Sequence, residues 1–471
     1  MNNLFKLLSK TAGDEELFVV GGWLRDTLLQ KENRDLDVIT SSNPIKLAKR
    51  ISSSLKGRLV MLDKDNKIYR VVLKDDPRLD YIDFSKMKGT DITKDLSNRD
   101  FTINSFAARI SGKIDLSKII DPFGGLKDLK AKKIRLTSKH AIADDPLRML
   151  RAFRLASELN FAITPDSLKD IKRHAVKIRK SAWERIRDEF FKILASHDSH
   201  YWLRELDKSG LLDMLFSEIG EMKKHGKQFY YHPKGLWQHS TETLRALENI
   251  LNNVNQNFPA EGQKIRRHLS QPLSSGITRE TLLKLVTLFH DVAKPATSKK
   301  MGGRMRFLGH ESKGAQKITT ILKRMRVSSS DIRIAQNLVA NHMRPISLTQ
   351  ANVLTQRAVF RFFRDIGDDS LDLLMLALSD WHSYKGLKHH EPKILKKQEA
   401  TLKELAKRYF EEKEKPAMPK IIDGHILMKK FKLEPGPLIG KLLAKIKEAQ
   451  FLGKISDTEQ ALALAKRSIR K

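Results

Sequence analysis

The hydrophobic pattern of this chain of 471 residues changes period once, near residue 140, and that change limits the folds open to it. Before it, short apolar runs read as strands: Phe18-Val19-Val20, Asp35 to Ile39, Gly57 to Leu62, Tyr69 to Leu73 and Leu79 to Phe84. A helix-like stretch runs from Trp23 to Leu29. After residue 140 the period is helical. Leu147, Leu150, Phe153, Leu155 and Leu159 follow Asp144-Asp145-Pro146, whose acids and proline suit a helix start. Further helices are expected from Ala182 to Leu194 and from Leu438 to Gln450, the latter behind the Pro435-Gly436-Pro437 turn. The Asn-, Gln-, Ser- and Gly-rich stretch from Asn249 to Ser275 reads as an exposed linker. The fold class is therefore α+β: a small unit of strands and helices, followed by a helical remainder.

Composition narrows the function. Apolar residues make up 40% of the chain, enough to build cores. The longest apolar runs, such as Leu373 to Leu378, fall far short of the ~18 residues of a membrane span. The opening MNNLFKLLSK is amphipathic and has no secretory apolar stretch. There is no cysteine, which excludes a disulfide scaffold, thiolate catalysis and Cys-based zinc fingers, and makes a reducing cytoplasm the expected location. Lys and Arg number 89 against 56 Asp and Glu, a net charge of +33. Such an excess suits a polyanionic partner, because cations that neutralise phosphates release condensed counterions.

Chemistry-bearing residues cluster in the first region. Gly21-Gly22 ends a strand and opens a helix, where backbone N–H groups can approach a phosphate. Asp35-x-Asp37 lies in a strand, whose period of two puts both carboxylates on one face. Like charges held side by side call for a divalent cation, and hard oxygen ligands suit Mg²⁺. Asp83, on a later strand, is the candidate third carboxylate.

These residues sit within longer motifs. V-G-G-W-L-R-D-T-L-L (Val20 to Leu29) with R-D-L-D-V-I-T (Arg34 to Thr40) resembles the opening motif of the bacterial-type, class II tRNA nucleotidyltransferases, which include CCA-adding enzymes and bacterial poly(A) polymerases. N-R-D-F-T-I-N-S (Asn98 to Ser105), D-P-F-G-G-L-K-D-L (Asp121 to Leu129), D-D-P-L-R-M-L-R-A-F-R-L-A (Asp144 to Ala156) and E-R-I-R-D-E-F-F-K-I-L (Glu184 to Leu194) resemble later motifs of that family, in order. The resemblance implies a polymerase-β-like head over 1–138 and a helical neck and body over 139–225. It implies that Asp35 and Asp37 hold Mg²⁺ for attack of a primer 3′-hydroxyl on the α-phosphate of CTP or ATP. Gly21 and Gly22 would cradle the triphosphate, with Arg25 and Asp26 supporting the turn, and Arg99, Asp100 and Asn104 would contact sugar and phosphates. Asp145 and Arg148, three apart and so expected on one helix face, suit the amino donor and ring acceptors of cytosine and adenine and disfavour uracil and guanine. Arg151 and Arg154 continue that face toward phosphates. Two departures are mild: Asn98 stands for an Arg of the family pattern and Asp144 for a Glu. The third is a short segment, Ser85 to Ser97, where CCA-adding members carry a longer flexible loop. It resembles members that add only CC.

A second constellation, His239, His290-Asp291, His310, His342 and Asp380, has the order of an HD-type site that binds two metals, with Lys294 in H-D-V-A-K-P matching as well. This resemblance covers about residues 230 to 390 and implies a helical domain over 226–395 that hydrolyses phosphate esters with Mg, Mn, Ni or Fe. His232 is a possible substitute for His239, and the aromatics Phe229, Tyr230, Tyr231 and Trp237 are candidate base-stacking groups. Residues 396–471 form a basic helical tail. The expected partners are tRNA or other RNA 3′ ends, CTP and ATP, with no membrane. The rivals are a poly(A) polymerase, an HD phosphohydrolase whose head only grips RNA, and a non-catalytic RNA-binding protein.

Overall fold

A computed structural model describes residues 1–469 apart from 75, 226–233, 352, 385–391 and 416–417. The chain divides into two compact units, Met1–Leu215 and Phe216–Lys471.

The first unit is built on a six-stranded sheet with the order β3-β4-β5-β2-β1-β6. Its strands are β1 (Leu17–Val20), β2 (Asp35–Thr40), β3 (Arg58–Asp63), β4 (Ile68–Val72), β5 (Tyr81–Lys86) and β6 (Ala107–Arg109). Only β2 and β5 pair in parallel, so the sheet is mixed. Alternation fixes its register. Leu36, Val38, Ile82 and Phe84 are fully or almost fully buried, while Asp35, Asp37 and Asp83 take the intervening positions. A slip of one residue would drive the acids into the core. The buried face is covered by the Pro44–Ser54 helix through Leu47, Ala48 and Ile51. Asn43 caps that helix by accepting from the Ile45 N–H. The amphipathic Asn2–Ala12 helix packs on it and buries Leu4, Phe5 and Leu8.

The helix expected at Asp144-Asp145-Pro146 begins later. A short helix, Ala141–Asp144, ends there, Asp145 is extended (φ −147°, ψ 103°), and the long helix is Arg148–Leu159. Proline disfavours helical dihedrals in the residue before it, so Pro146 forces this break. The neck is also not purely helical: β7 (Lys133–Ile134) pairs in parallel with β8 (Ala162–Ile163).

The second unit is mainly helical. Its one described sheet is a hairpin of β9 (Lys299–Met301) and β10 (Arg304–Arg306). The linker expected from Asn249 to Ser275 is instead folded. It continues the Leu236–Asn252 helix and adds the helices Val254–Asn257 and Gly262–Leu269. Its polar residues form outer faces, while Val254, Phe258, Ile265 and Leu269 are buried. The expected boundary at 395/396 falls inside a continuous helix, Pro392–Glu414. Beyond it, Ile422, Leu427, Ile439, Leu442 and Ile446 form a core of the tail's own. Among the described residues, no helix is long and apolar enough to cross a membrane. Leu373 to Leu378 belong to the buried Ser370–Ser383 helix.

Candidate functional site

In the first unit the sheet register gathers the acids. Asp37 sits directly opposite Asp83 on β5 and opposite Val20 on β1, and Asp35 lies two positions along the same face. Gly21 closes the arrangement from above. Its φ is +73°, and a Cβ there would stand 2.7 Å from Asp37 Oδ2, so any side chain would strain the turn and push the carboxylate aside. Gly22 has no such constraint: its nearest neighbours to a Cβ, Arg25 and Asn33, would lie at 3.6 Å. Asp37, Asp83, Lys86, Lys88 and Arg99 line a cavity of about 270 Å³. Burial, reinforced by Asp83 and Asp35 against the opposing pull of Arg99, pushes the Asp37 carboxyl up to about 6. Charge that is this costly to hold, on hard oxygens facing a cavity, fits a divalent cation such as Mg²⁺. Asp83 is differently employed. Both its oxygens accept from Arg70 at 2.8 Å, and the Arg70 guanidinium lies over the Tyr81 ring.

Most of the expected nucleotide contacts form an internal frame. Arg25 donates both to Asp26 and, at 2.8 Å, to Asn104 Oδ1, and Asn33 donates to Asp26. Asn104 in turn donates to Asp100, which ion-pairs with Arg151 at 2.6 Å. Burial opposes the charge on Asp100, yet Arg151 and Asn104 hold its carboxyl below the usual range. Arg154 does not face a phosphate path. It pairs with Glu158 (2.7 Å) one turn along its own helix and with Glu189 (2.6 Å) on the Trp183–Ala195 helix. Asp145 and Arg148 do not share a helix face as expected, because the Pro146 break places Asp145 outside the helix. Asp145 accepts from Arg185 at 2.7 Å, and Arg148 donates to the backbone carbonyls of Asn98 (2.6 Å) and Arg99 (3.4 Å). The short Ser85 to Ser97 segment is pinned: Leu96 is buried, and Asp95 accepts from the Lys88 N–H and Arg99.

In the second unit all six residues of the other constellation meet. His239, His290 and Asp380 form one candidate metal group, and Asp291, His310 and His342 a second. Asp291 spans the two: Oδ2 is 3.3 Å from His290 and 3.7 Å from His239, while Oδ1 is 3.6 Å from both His310 and His342. The Nδ1 atoms of His290, His310 and His342 bond the carbonyls of Thr287, Phe307 and Val339, which turns each Nε2 inward. His290 Nε2 and Asp380 Oδ1 are buried and make no hydrogen bond among the described residues. Although burial opposes it, His290 and Lys294 hold Asp291 well below the carboxylate range, so it remains an anion. Imidazoles and carboxylates converging in this way fit two borderline divalent cations. His232, Phe229, Tyr230 and Tyr231 lie outside the described residues, and Trp237 is core rather than a stacking surface.

Three family descriptions match the chain: "Poly A polymerase head domain" over 17–135, "Probable RNA and SrmB- binding site of polymerase A" over 160–222, and "tRNA nucleotidyltransferase domain 2 putative" over 310–465. An A-adding tRNA nucleotidyltransferase of Deinococcus radiodurans is 28% identical over 456 residues, covering 95% of this chain and 94% of that one. A CC-adding tRNA nucleotidyltransferase of Synechocystis sp. is 29% identical over 453 residues, covering 95% and 92%. The chain belongs to the bacterial-type tRNA nucleotidyltransferase family. Members of this family use divalent metal, generally Mg²⁺. The fold is shared with the solved Thermotoga maritima CCA-adding enzyme complexed with tRNA_CCA, at TM-score 0.63 and 22% identity over 99% of this chain and 95% of that one.

For this tRNA nucleotidyltransferase chain, sequence reasoning missed two arginines. Arg70 and Arg185 come from segments read only for strand or helix pattern, and their partners lie 13 and 40 residues away. Spacing carries no signal for such contacts. The resemblance came nearer for Arg185, which stands in the E-R-I-R-D-E motif quoted for Glu184 to Leu194.

Proposed function

We propose that this chain extends tRNA 3′ ends with C and/or A from CTP and ATP, without a template. The observation that carries the reading is the Asp35–Asp37 face, with Gly21 pressed against Asp37 so that a triphosphate can lie on the turn. The primer 3′-oxygen attacks the α-phosphorus, the bond to the β,γ-phosphates breaks, and pyrophosphate leaves. Mg²⁺ held by Asp35 and Asp37 would neutralise charge on the reacting phosphate oxygens. Arg99, Lys86 and Lys88 place positive charge along the same cavity. The Asp26–Arg25–Asn104–Asp100–Arg151 frame sets the Gly21 turn against the Arg148–Leu159 helix, so those residues act chiefly by positioning. Asp145 keeps acceptor capacity beside Arg185, since a carboxylate offers about four lone-pair sites. It is the group that accepts from the amino of cytosine or adenine.

The pinned Ser85 to Ser97 segment supports partial addition, CC or A, over full CCA. The A-adding relative of Deinococcus radiodurans and the CC-adding relative of Synechocystis sp. match across 95% of the chain and a CC-adding relative of Geobacter sulfurreducens across 59%, whereas a CCA-adding enzyme of Levilactobacillus brevis matches over 42%. Three transcripts, ending before CCA, after C and after CC, incubated with CTP, ATP or both, decide it at single-nucleotide resolution. Stopping at CC, or adding one A only to the CC-ended transcript, supports partial addition. Full CCA removes it, and long A tails move the assignment to a poly(A) polymerase.

The His239, His290, Asp291, His310, His342 and Asp380 cluster supports a second activity, metal-dependent hydrolysis of phosphate esters. Divalent metal bound there would supply an activated water. The chain's own contribution is to hold six inward-facing ligands, with Lys294 compensating Asp291.

A further inference from the structure

The segment joining the second and third ligand groups of the metal cluster is a cationic hairpin. Between Lys294, the partner of Asp291, and His310, the chain turns through Gly302 (φ +56°) and Gly303 (φ +75°) and pairs β9 with β10. Positive φ at both central residues is the two-residue turn that matches strand twist. The register places Lys299 opposite Arg306 and Met301 opposite Arg304, so these four side chains share one face, and Lys300 lies on the other. All five are exposed, Met301 at 48%. Lys313 stands one turn beyond His310, also exposed. From residue 299 to 313 the sequence holds five Lys or Arg and one acid, Glu311. None of these five cations has an ion-pair partner among the described residues. Elsewhere in this unit surface cations are commonly paired, as Lys317 is with Glu221, Arg324 with Glu218 and Arg361 with Glu448.

The hairpin is tied to the cluster. Arg306 precedes His310 by four residues, which span at most about 14 Å of extended chain. The Phe307 carbonyl, next to β10, accepts the hydrogen bond that orients the His310 ring. Four exposed, unpaired cations at that range from a phosphoester site suit a run of phosphates, and exceed what a small phosphomonoester needs.

We propose that the metal cluster acts on the end of a single-stranded RNA, whose phosphates 5′ of the reacting terminus lie along Lys299, Lys300, Arg304 and Arg306. This rests on the reading of the cluster as a phosphohydrolase. For a 2′,3′-cyclic end, water adds to phosphorus, one ring P–O bond breaks, and the released ribose oxygen takes a proton, leaving a phosphomonoester.

The test compares the full chain with its Lys299→Gln/Lys300→Gln/Arg304→Gln/Arg306→Gln variant, after Mn²⁺ or Ni²⁺ loading, on two substrates: a ten-nucleotide RNA ending in a 2′,3′-cyclic phosphate, and bis(p-nitrophenyl) phosphate. The expected result is a fall of about 10- to 100-fold in kcat/KM for the RNA alone, and a flatter salt dependence. Equal losses on both substrates, or no loss on the RNA, overturn the hairpin's role and leave the hydrolase reading standing. If neither substrate is hydrolysed, the hydrolase reading fails. Crosslinking of the same RNA, carrying 4-thiouridine near its 3′ end, then decides separately. Crosslinks within 299–306 support an RNA-holding surface, and their absence overturns it.

Discussion

Gly21 shows how far one residue constrains this site. Alanine there would meet left-handed backbone strain, of order 1–3 kcal/mol, and place its Cβ 2.7 Å from Asp37 Oδ2. Gly21→Ala should therefore lower nucleotide addition by more than about 100-fold, since displaced catalytic geometry is costly. Gly22→Ala should lose much less, its nearest neighbours lying at 3.6 Å. Primer extension with CTP and ATP measures both, and equal losses would refute the steric account. Base choice is also a residue-scale matter. Asp145→Ala should relax discrimination against UTP and GTP, whereas Arg185→Ala should act through the orientation of Asp145. It should raise KM for CTP and ATP several-fold with a smaller change in kcat, and Arg185→Lys should recover part of the loss. An unchanged KM in Arg185→Ala would leave the 2.7 Å contact without a role in selection.

At the level of elements, the β2–β5 register does what spacing alone did not show: it sets Asp83 against Asp37 and then gives Asp83 to Arg70. The helices of the second unit are locked by a comparable device. Asp372, 1% exposed, accepts from His268 (2.7 Å) and Arg279 (2.7 Å), tying the Gly262–Leu269, Arg279–Phe289 and Ser370–Ser383 helices. Burial opposes ionisation of Asp372, but His268 and Arg279 outweigh it, so its folded pKa lies below the ordinary value. A depressed carboxylate contributes stability that is present above its unfolded pKa, ~3.9, and is lost as pH falls through the folded value. Asp372→Asn should cost about 3 kcal/mol between pH 8 and 5, in the range for breaking a buried ion pair, with the gap to the wild type narrowing below about pH 4. Urea unfolding across that range tests it, and a gap that widened on acidification would reverse the sign argued here.

Over the whole molecule, the two candidate centres belong to separate compact units, and each has its own carboxylates and its own metal requirement. Asp35→Ala with Asp37→Ala should abolish nucleotide addition and leave metal-dependent phosphoester hydrolysis within about twofold, because no ligand of the second cluster is touched. Chelation should abolish both. Parallel assays on one preparation decide the matter, and joint loss in the double variant would mean a single centre.

Much of this was legible in the chain itself, for local physical reasons. Periods of two and 3.6 mark the strands of the first unit and the helices after it, and the Asp35-x-Asp37 spacing puts both acids on one face wherever that strand pairs. Motif order then carried the family and named the six residues that the second unit brings together. What depended on distant partners was not legible. The Asn249 to Ser275 stretch looks polar because the apolar residues that turn inward, Ile250, Leu251, Val254, Phe258, Ile265 and Leu269, are spaced among exposed polar ones. Arg151 and Arg154 share a sequence motif, yet one meets Asp100 and the other a buried glutamate. Asp145 leaves its helix because of Pro146, and only packing of the Trp183–Ala195 helix supplies Arg185 to it. Local pattern determines which face of an element a side chain occupies; which charge that face meets is decided when non-local elements pack and burial makes an unpaired group costly.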